Sequence, residues 1–123
     1  MADQTKEVVT YTITLTKTTP PQTWYERYDN FQLAPFLGTI TSVHIFFPPG
    51  CEDLVKVRFG AGDDYITEWI TSADGKSITI PLNKLVAKDT PIFAEIMNFD
   101  TTYPHTPTCE VILVEATAQV LKV

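Results

Sequence analysis

Little in this sequence is basic, sulfur-bearing or helical, and each shortage excludes something. Nine lysines and arginines stand against fifteen aspartates and glutamates, a formal net charge of −6. The basic residues are scattered rather than clustered. That argues against nucleic acid as a partner, because such binding depends on concentrated positive charge. The two cysteines, Cys51 and Cys109, are too few and too far apart in sequence for a zinc site. With no signal peptide visible, they are expected to be reduced rather than paired. No apolar run approaches the roughly 20 residues needed to span a bilayer, so no membrane segment is expected. No stretch of useful length carries apolar residues at helical spacing.

Alternation is what the chain has instead. Val9, Tyr11, Ile13 and Leu15 alternate with Thr10, Thr12, Thr14 and Thr16. That period of two marks a strand with one buried and one wet face. Val55, Val57 and Phe59 alternate with Lys56 and Arg58 in the same way. Two cations on a wet face read as solubilising. Pro48-Pro49-Gly50-Cys51 separates that strand from 39–47, which reads as a hairpin with a rigid corner. Further strands are expected at 23–28, 65–71, 77–82, 91–98 and 108–116. Asp74-Gly75 provides a hairpin turn before Ser77. A short strand, or alternatively a short helix, suits the aromatic-rich stretch at 22–35, and a helical turn could fit within 83–90.

The 123 residues suit one domain, with an N-terminal arm at 1–6 and a C-terminal tail at 117–123. About eight short strands at regular spacing point to a single all-β antiparallel β-sandwich of jelly-roll type. An immunoglobulin-like sandwich is the alternative, but neither Trp24 nor Trp69 has the expected relation to the cysteines.

Catalytic chemistry finds little support. His44 lies mid-strand on the face opposite Val43, Ile45 and Phe47, where a solvent or interface position is the plain reading. The loop holding Asp100, Tyr103 and His105 collects an acid, a phenol and an imidazole. It lacks a nucleophile elbow, so a hydrogen-bonded structural loop is favoured over a base–nucleophile pair. Glu52-Asp53 and Asp63-Asp64 lack the spaced oxygen ligands of a calcium loop. Gly60-Ala61-Gly62 is followed by two carboxylates that would repel phosphate. No enzyme activity, cofactor or metal is therefore expected.

Surface signals are more persistent. Phe46 shares a strand face with Ser42 and His44, a face that should be wet. Tyr65 with Trp69, and Phe93 with Met97, load second faces with large apolar groups, which need cover from the same chain or a neighbour. Trp24, Tyr25, Phe46 and Trp69 are the candidate contact residues. Trp24, Tyr25, Trp69 and Tyr103 could alternatively stack on a glycan, provided that they share one groove.

The run from Val43 to Cys51, continuing through Leu54-Val55-Lys56-Val57-Arg58, resembles small β-sandwich virion proteins of tailed bacterial and archaeal viruses. The loop from Asn98 to Thr106 resembles a late loop in such chains. The resemblance covers about half of the chain and is structural in kind. It implies a non-enzymatic, multi-copy virion protein, of the capsid decoration or cement type or another virion surface component. Such a protein would be made in the host cytoplasm and bind itself as a homo-oligomer and a capsid protein.

Overall fold

A computed structural model of the protein describes residues 8–27, 31–71 and 75–116, apart from the side chains of Tyr25 and Glu26. The expected arms at 1–6 and 117–123 and the residues Ala73 and Asp74 of the expected turn lie outside the described residues. Among the described residues, ten strands follow one another: β1 (Thr10–Thr16), β2 (Thr23–Arg27), β3 (Gln32–Leu33), β4 (Gly38–Phe47), β5 (Val55–Ala61), β6 (Asp64–Tyr65), β7 (Ile70–Thr71), β8 (Lys76–Val86), β9 (Pro91–Asn98) and β10 (Thr108–Glu115). They form two antiparallel sheets. The first has the order β1-β10-β4-β8, and the second has β2-β9-β5-β6 with β3 added on β9 and β7 on β5. The chain passes repeatedly between sheets, and β1 pairs with β10. This is a jelly roll rather than an immunoglobulin-like sandwich.

The alternation read from the sequence sets the layers. Ile13 and Leu15 of β1, Val111 and Leu113 of β10, and Val43, Ile45 and Phe47 of β4 are buried on the inner face of the first sheet. Val55, Val57 and Phe59 of β5, with Ile92, Ala94 and Ile96 of β9, meet them from the second. Burying each large side chain contributes about 1.5–3 kcal/mol, set against the entropy of ordering it. Ile40 and Val43 are both buried although they stand three positions apart, an odd offset that would put them on opposite faces of a regular strand. A bulge at Thr41 makes this possible: Ile40 and Ser42 pair with Leu113 and Ile112 of β10, and Thr41 is skipped. The register against β8 shifts at the same place.

Several local expectations are corrected. β4 and β5 are not a hairpin, because they belong to different sheets. Pro48–Leu54 is instead the corner between layers, closed by a Leu54 N–H to Cys51 C=O bond of 2.7 Å. β7 and β8 likewise belong to different sheets and do not pair with each other. The strand expected at 65–71 is interrupted between β6 and β7. There Ile66 N–H donates to Phe59 C=O at 2.9 Å and Thr67 Oγ1 accepts from Phe59 N–H at 3.0 Å, which holds the segment in a local loop over β5. The helical turn in 83–90 does not form: β8 runs on to Val86, pairing Lys84 with Ile40 and Val86 with Gly38. Both cysteines are buried.

Candidate interaction surfaces

One end of the sandwich is built from three loops that lock together. Asn98, the last residue of β9, is buried at their centre. Its Nδ2 donates to the carbonyls of Thr19, Pro20 and Tyr103, each at 3.1 Å, and its Oδ1 accepts the Asp100 N–H at 2.9 Å. Asp100 then organises the loop beyond. Its Oδ1 accepts the N–H groups of Thr102 and Tyr103, and its Oδ2 accepts from His105 Nε2 at 2.8 Å. The bond from His105, then those from the loop N–H groups, hold the Asp100 carboxyl below the usual carboxylate range; burial opposes them. His105 pairs with Thr19 through both main-chain bonds, at 2.8 and 3.1 Å.

An imidazole oriented by a carboxylate is half of a triad in outline. Here, however, among the described residues, no hydroxyl or thiol hydrogen-bonds to the His105 ring. The pair instead ties the loop to itself, and the main-chain bonds of His105 tie it to Thr19.

This end displays aromatic rings. Trp24 is 75% exposed and lies edge-on to Phe99 at 5.3 Å, in a depression of about 390 Å³ shared with Gln22 and Thr101. Tyr103 is 64% exposed and borders a separate cleft of about 460 Å³, between Gly50, Glu52 and Leu54 on one side and Pro104 and His105 on the other. Gln22, Glu52 and Asp53 all have φ between 48 and 65°, a left-handed region that non-glycine residues enter at some cost. Such strain persists only where surrounding bonds enforce it.

The outer face of the second sheet carries a charge network that the sequence reading missed. Glu95 of β9 is fully buried although it points away from the core. Arg27 of β2 donates to its Oε2 from Nε at 3.1 Å and Nη2 at 2.8 Å. Arg58 of β5 donates to Oε1 at 2.8 Å, and the Tyr65 hydroxyl donates to Oε2 at 3.2 Å. The guanidinium carbons lie over aromatic rings: Arg27 over Phe93 at 3.9 Å, and Arg58 over Tyr65 at 3.6 Å and Trp69 at 4.4 Å. Arg58 is therefore a structural partner, not a merely solubilising cation. Of the extra apolar groups on this face, Phe93 is buried with Arg27 over its ring and Arg58 lies over Tyr65 and Trp69, while Tyr65 stays 47% exposed. Gly60 makes room for Phe93: a Cβ there would stand 2.1 Å from the ring. The available signal was Glu95 itself, a lone carboxylate amid the apolar residues of β9, which needed a cation if buried.

The outer face of the first sheet is rich in hydroxyls. Rows such as Thr14–Glu110–His44–Thr79 and Thr16–Thr108–Phe46–Ser77 cross its strands. His44 Nδ1 and Thr79 Oγ1 are hydrogen-bonded at 2.8 Å. Phe46 is 42% exposed there, as its strand position implied. The candidate residues thus do not converge: Trp24 and Tyr103 border different depressions at the loop end, Trp69 lies under Arg58, and Phe46 is on the opposite sheet. The Tyr25 side chain is outside the described residues. No group of three or more metal-ligating side chains occurs among the described residues.

The sandwich and its surfaces invite comparison with known proteins. No protein-family model and no curated protein matches the sequence. Solved structures do share the fold. The chain is similar to one in the cyanophage Pam1 capsid asymmetric unit, with a TM-score of 0.57, 10% identity, and coverage of 94% of this chain and 93% of that one. It is similar to a chain of the infectious bursal disease virus particle, with a TM-score of 0.52 and 11% identity; 93% of this chain aligns, spanning 32% of that one. A Bacillus endospore appendage from a family of disulfide-linked pili also matches, at a TM-score of 0.52, 14% identity, and coverage of 94% and 96%. The architecture is thus one that virion proteins use, in agreement with the resemblance seen in the sequence.

Proposed function

We propose that this protein is a non-enzymatic structural component of a virion surface, of the decoration or cement type. In this reading it acts in many copies, bound to one another and to a capsid protein, and it resides in the virion after synthesis in the host cytoplasm. The observation that carries the reading is Trp24. It is a large ring, 75% exposed, at the start of β2, packed edge-on against Phe99 beside the loops that the Asn98–Asp100–His105 network holds together. A preorganised aromatic suits a docking hot spot, because little side-chain freedom is lost when it is covered. The match along almost the whole chain to a phage capsid component supports the choice of partner class.

The test is co-sedimentation of the purified protein with capsid shells of the virus that encodes it. Trp24→Ala is expected to weaken binding about thirtyfold, as loss of a hot spot of about 2 kcal/mol would. The fold should survive, since the ring's contact with Phe99 is worth about 1 kcal/mol. A wild-type protein that ignores the shells, or a variant that binds them equally well, would overturn the proposal.

A further inference from the structure

The two edges of the first sheet are finished differently. β8, at one edge, carries Pro81 opposite Ser42, and Lys76 and Lys84 flank it. Proline offers no donor and lysine is costly to cover, so both guard an edge against a further strand. β1, at the other edge, runs Thr-Tyr-Thr-Ile-Thr-Leu-Thr, without proline or charge. β10 lies on one side of it and, among the described residues, no strand lies on the other.

Two bonds fix where the main-chain groups of β1 point. Glu115 N–H donates to Val9 C=O at 2.9 Å, so the odd-numbered residues of this antiparallel ladder face β10. Thr14 C=O instead accepts the side-chain amide of Gln32 at 3.1 Å, from the other side. The main-chain N–H and C=O groups of Thr10, Thr12 and Thr14 therefore point away from the sheet. A carbonyl accepts two bonds, so Gln32 leaves Thr14 able to take another.

We propose that this edge is a docking site for β1 of a second copy of the chain, joined antiparallel about a two-fold axis at Thr12. The strand is self-complementary in that register. Thr12 faces Thr12 and Thr10 faces Thr14, so every outward main-chain group meets one of the same parity. Threonine pairs continue the hydroxyl rows on the outer face, and on the inner face Tyr11 comes opposite the backbone of Ile13, whose own side chain is already buried in the core. Tyr11 is 39% exposed, and this contact covers it. No charge opposes another along the strand. The contact rests on the multi-copy reading of the function and names how two copies meet.

Sedimentation equilibrium across a concentration series, with hydrogen exchange at Thr10 and Thr12, tests it. Thr12→Pro removes an N–H that the chain's own ladder does not use. Thr12→Glu sets two like charges face to face, and its effect should fade with salt. Each variant is expected to raise the dimer dissociation constant about tenfold or more, with the monomer still folded. The Thr10 and Thr12 amides of the wild type should become protected only as the dimer fills.

The proposal is overturned if the wild type is monomeric throughout, or if neither variant moves the dissociation constant. It is also overturned if those amides are equally protected in the dilute monomer, which would mean that the chain's own residues 1–7 cover the edge. A monomer that still binds capsid shells through Trp24 would remove the edge contact and leave the capsid reading standing.

Discussion

Replacing Glu95 with glutamine keeps the shape of the side chain and removes its charge. The carboxylate now accepts from Arg27, Arg58 and Tyr65. A glutamine has one acceptor oxygen. Set toward Arg27 and Tyr65, it turns an amide N–H₂ toward Arg58, donor against donor. The Arg58 side chain is only 21% exposed, so water compensates little. Losing that charge-assisted bond costs about 2 kcal/mol, and weakening the bonds from half-exposed Arg27 costs about 1 more, giving about 3 kcal/mol. For a domain of this size, that should lower the melting temperature by about 10–15 °C. Urea unfolding followed by tryptophan fluorescence would measure the loss, and Trp69 beside Arg58 gives a local signal. Lys84→Met, which breaks an exposed pair with Asp64, is the control and should cost less than about 0.5 kcal/mol. A Glu95→Gln loss below about 1 kcal/mol, or no larger than the control's, would refute the view that this network holds the second sheet's outer face.

Three further outcomes follow from the geometry. Gly60→Ala should cost about 2 kcal/mol, because its Cβ meets the Phe93 ring beneath Arg27, and Phe93→Leu in the same chain should recover part of it; urea midpoints of the single and double variants check this. Asp53→Gly should stabilise by about 0.5–1 kcal/mol by relieving a left-handed residue in the corner turn; unchanged or lower stability would count against strain there. Asp100 titrates low in the folded state, so its charged form stabilises the fold above its unfolded pKa, and that contribution is lost as pH falls through the folded value. The stability gap between wild type and Asp100→Asn should therefore be flat above about pH 5 and shrink below about pH 4, as read from urea midpoints at each pH.

Alternation made the layers legible. Ile13 and Leu15, and Val55 through Phe59, gave the core faces because burial of one sheet face enforces a period of two. Phe46 was legible for the same reason, as the apolar residue out of phase with its strand. Partnership between strands was not legible. Pro48–Cys51 looks the same in sequence whether it closes a hairpin or turns a corner between sheets, and long-range pairing of β4 with β10 decides which. The strand at 65–71 failed because local bonds to Phe59 outweighed β propensity. Arg27, Arg58 and Glu95 are 68 and 37 positions apart in their pairings, so no local pattern joins them. Asp100 and His105 are five apart and were visible as a loop cluster, although their role as a staple depended on Asn98 and Thr19.

The pairing of β1 with β10 also sets an order of events during synthesis. Thr10 lies against Val114, so among the described residues the first strand of the sandwich has no native strand partner until the last has left the ribosome. Such a distant contact closes slowly, because the intervening chain must be ordered before the pairing contributes. Meanwhile an uncharged run of alternating threonine and apolar residues waits unpaired in a crowded cell. Chaperone dependence should therefore be concentrated in this short N-terminal strand, and an added charge such as Thr14→Lys should raise soluble yield more than it changes final stability.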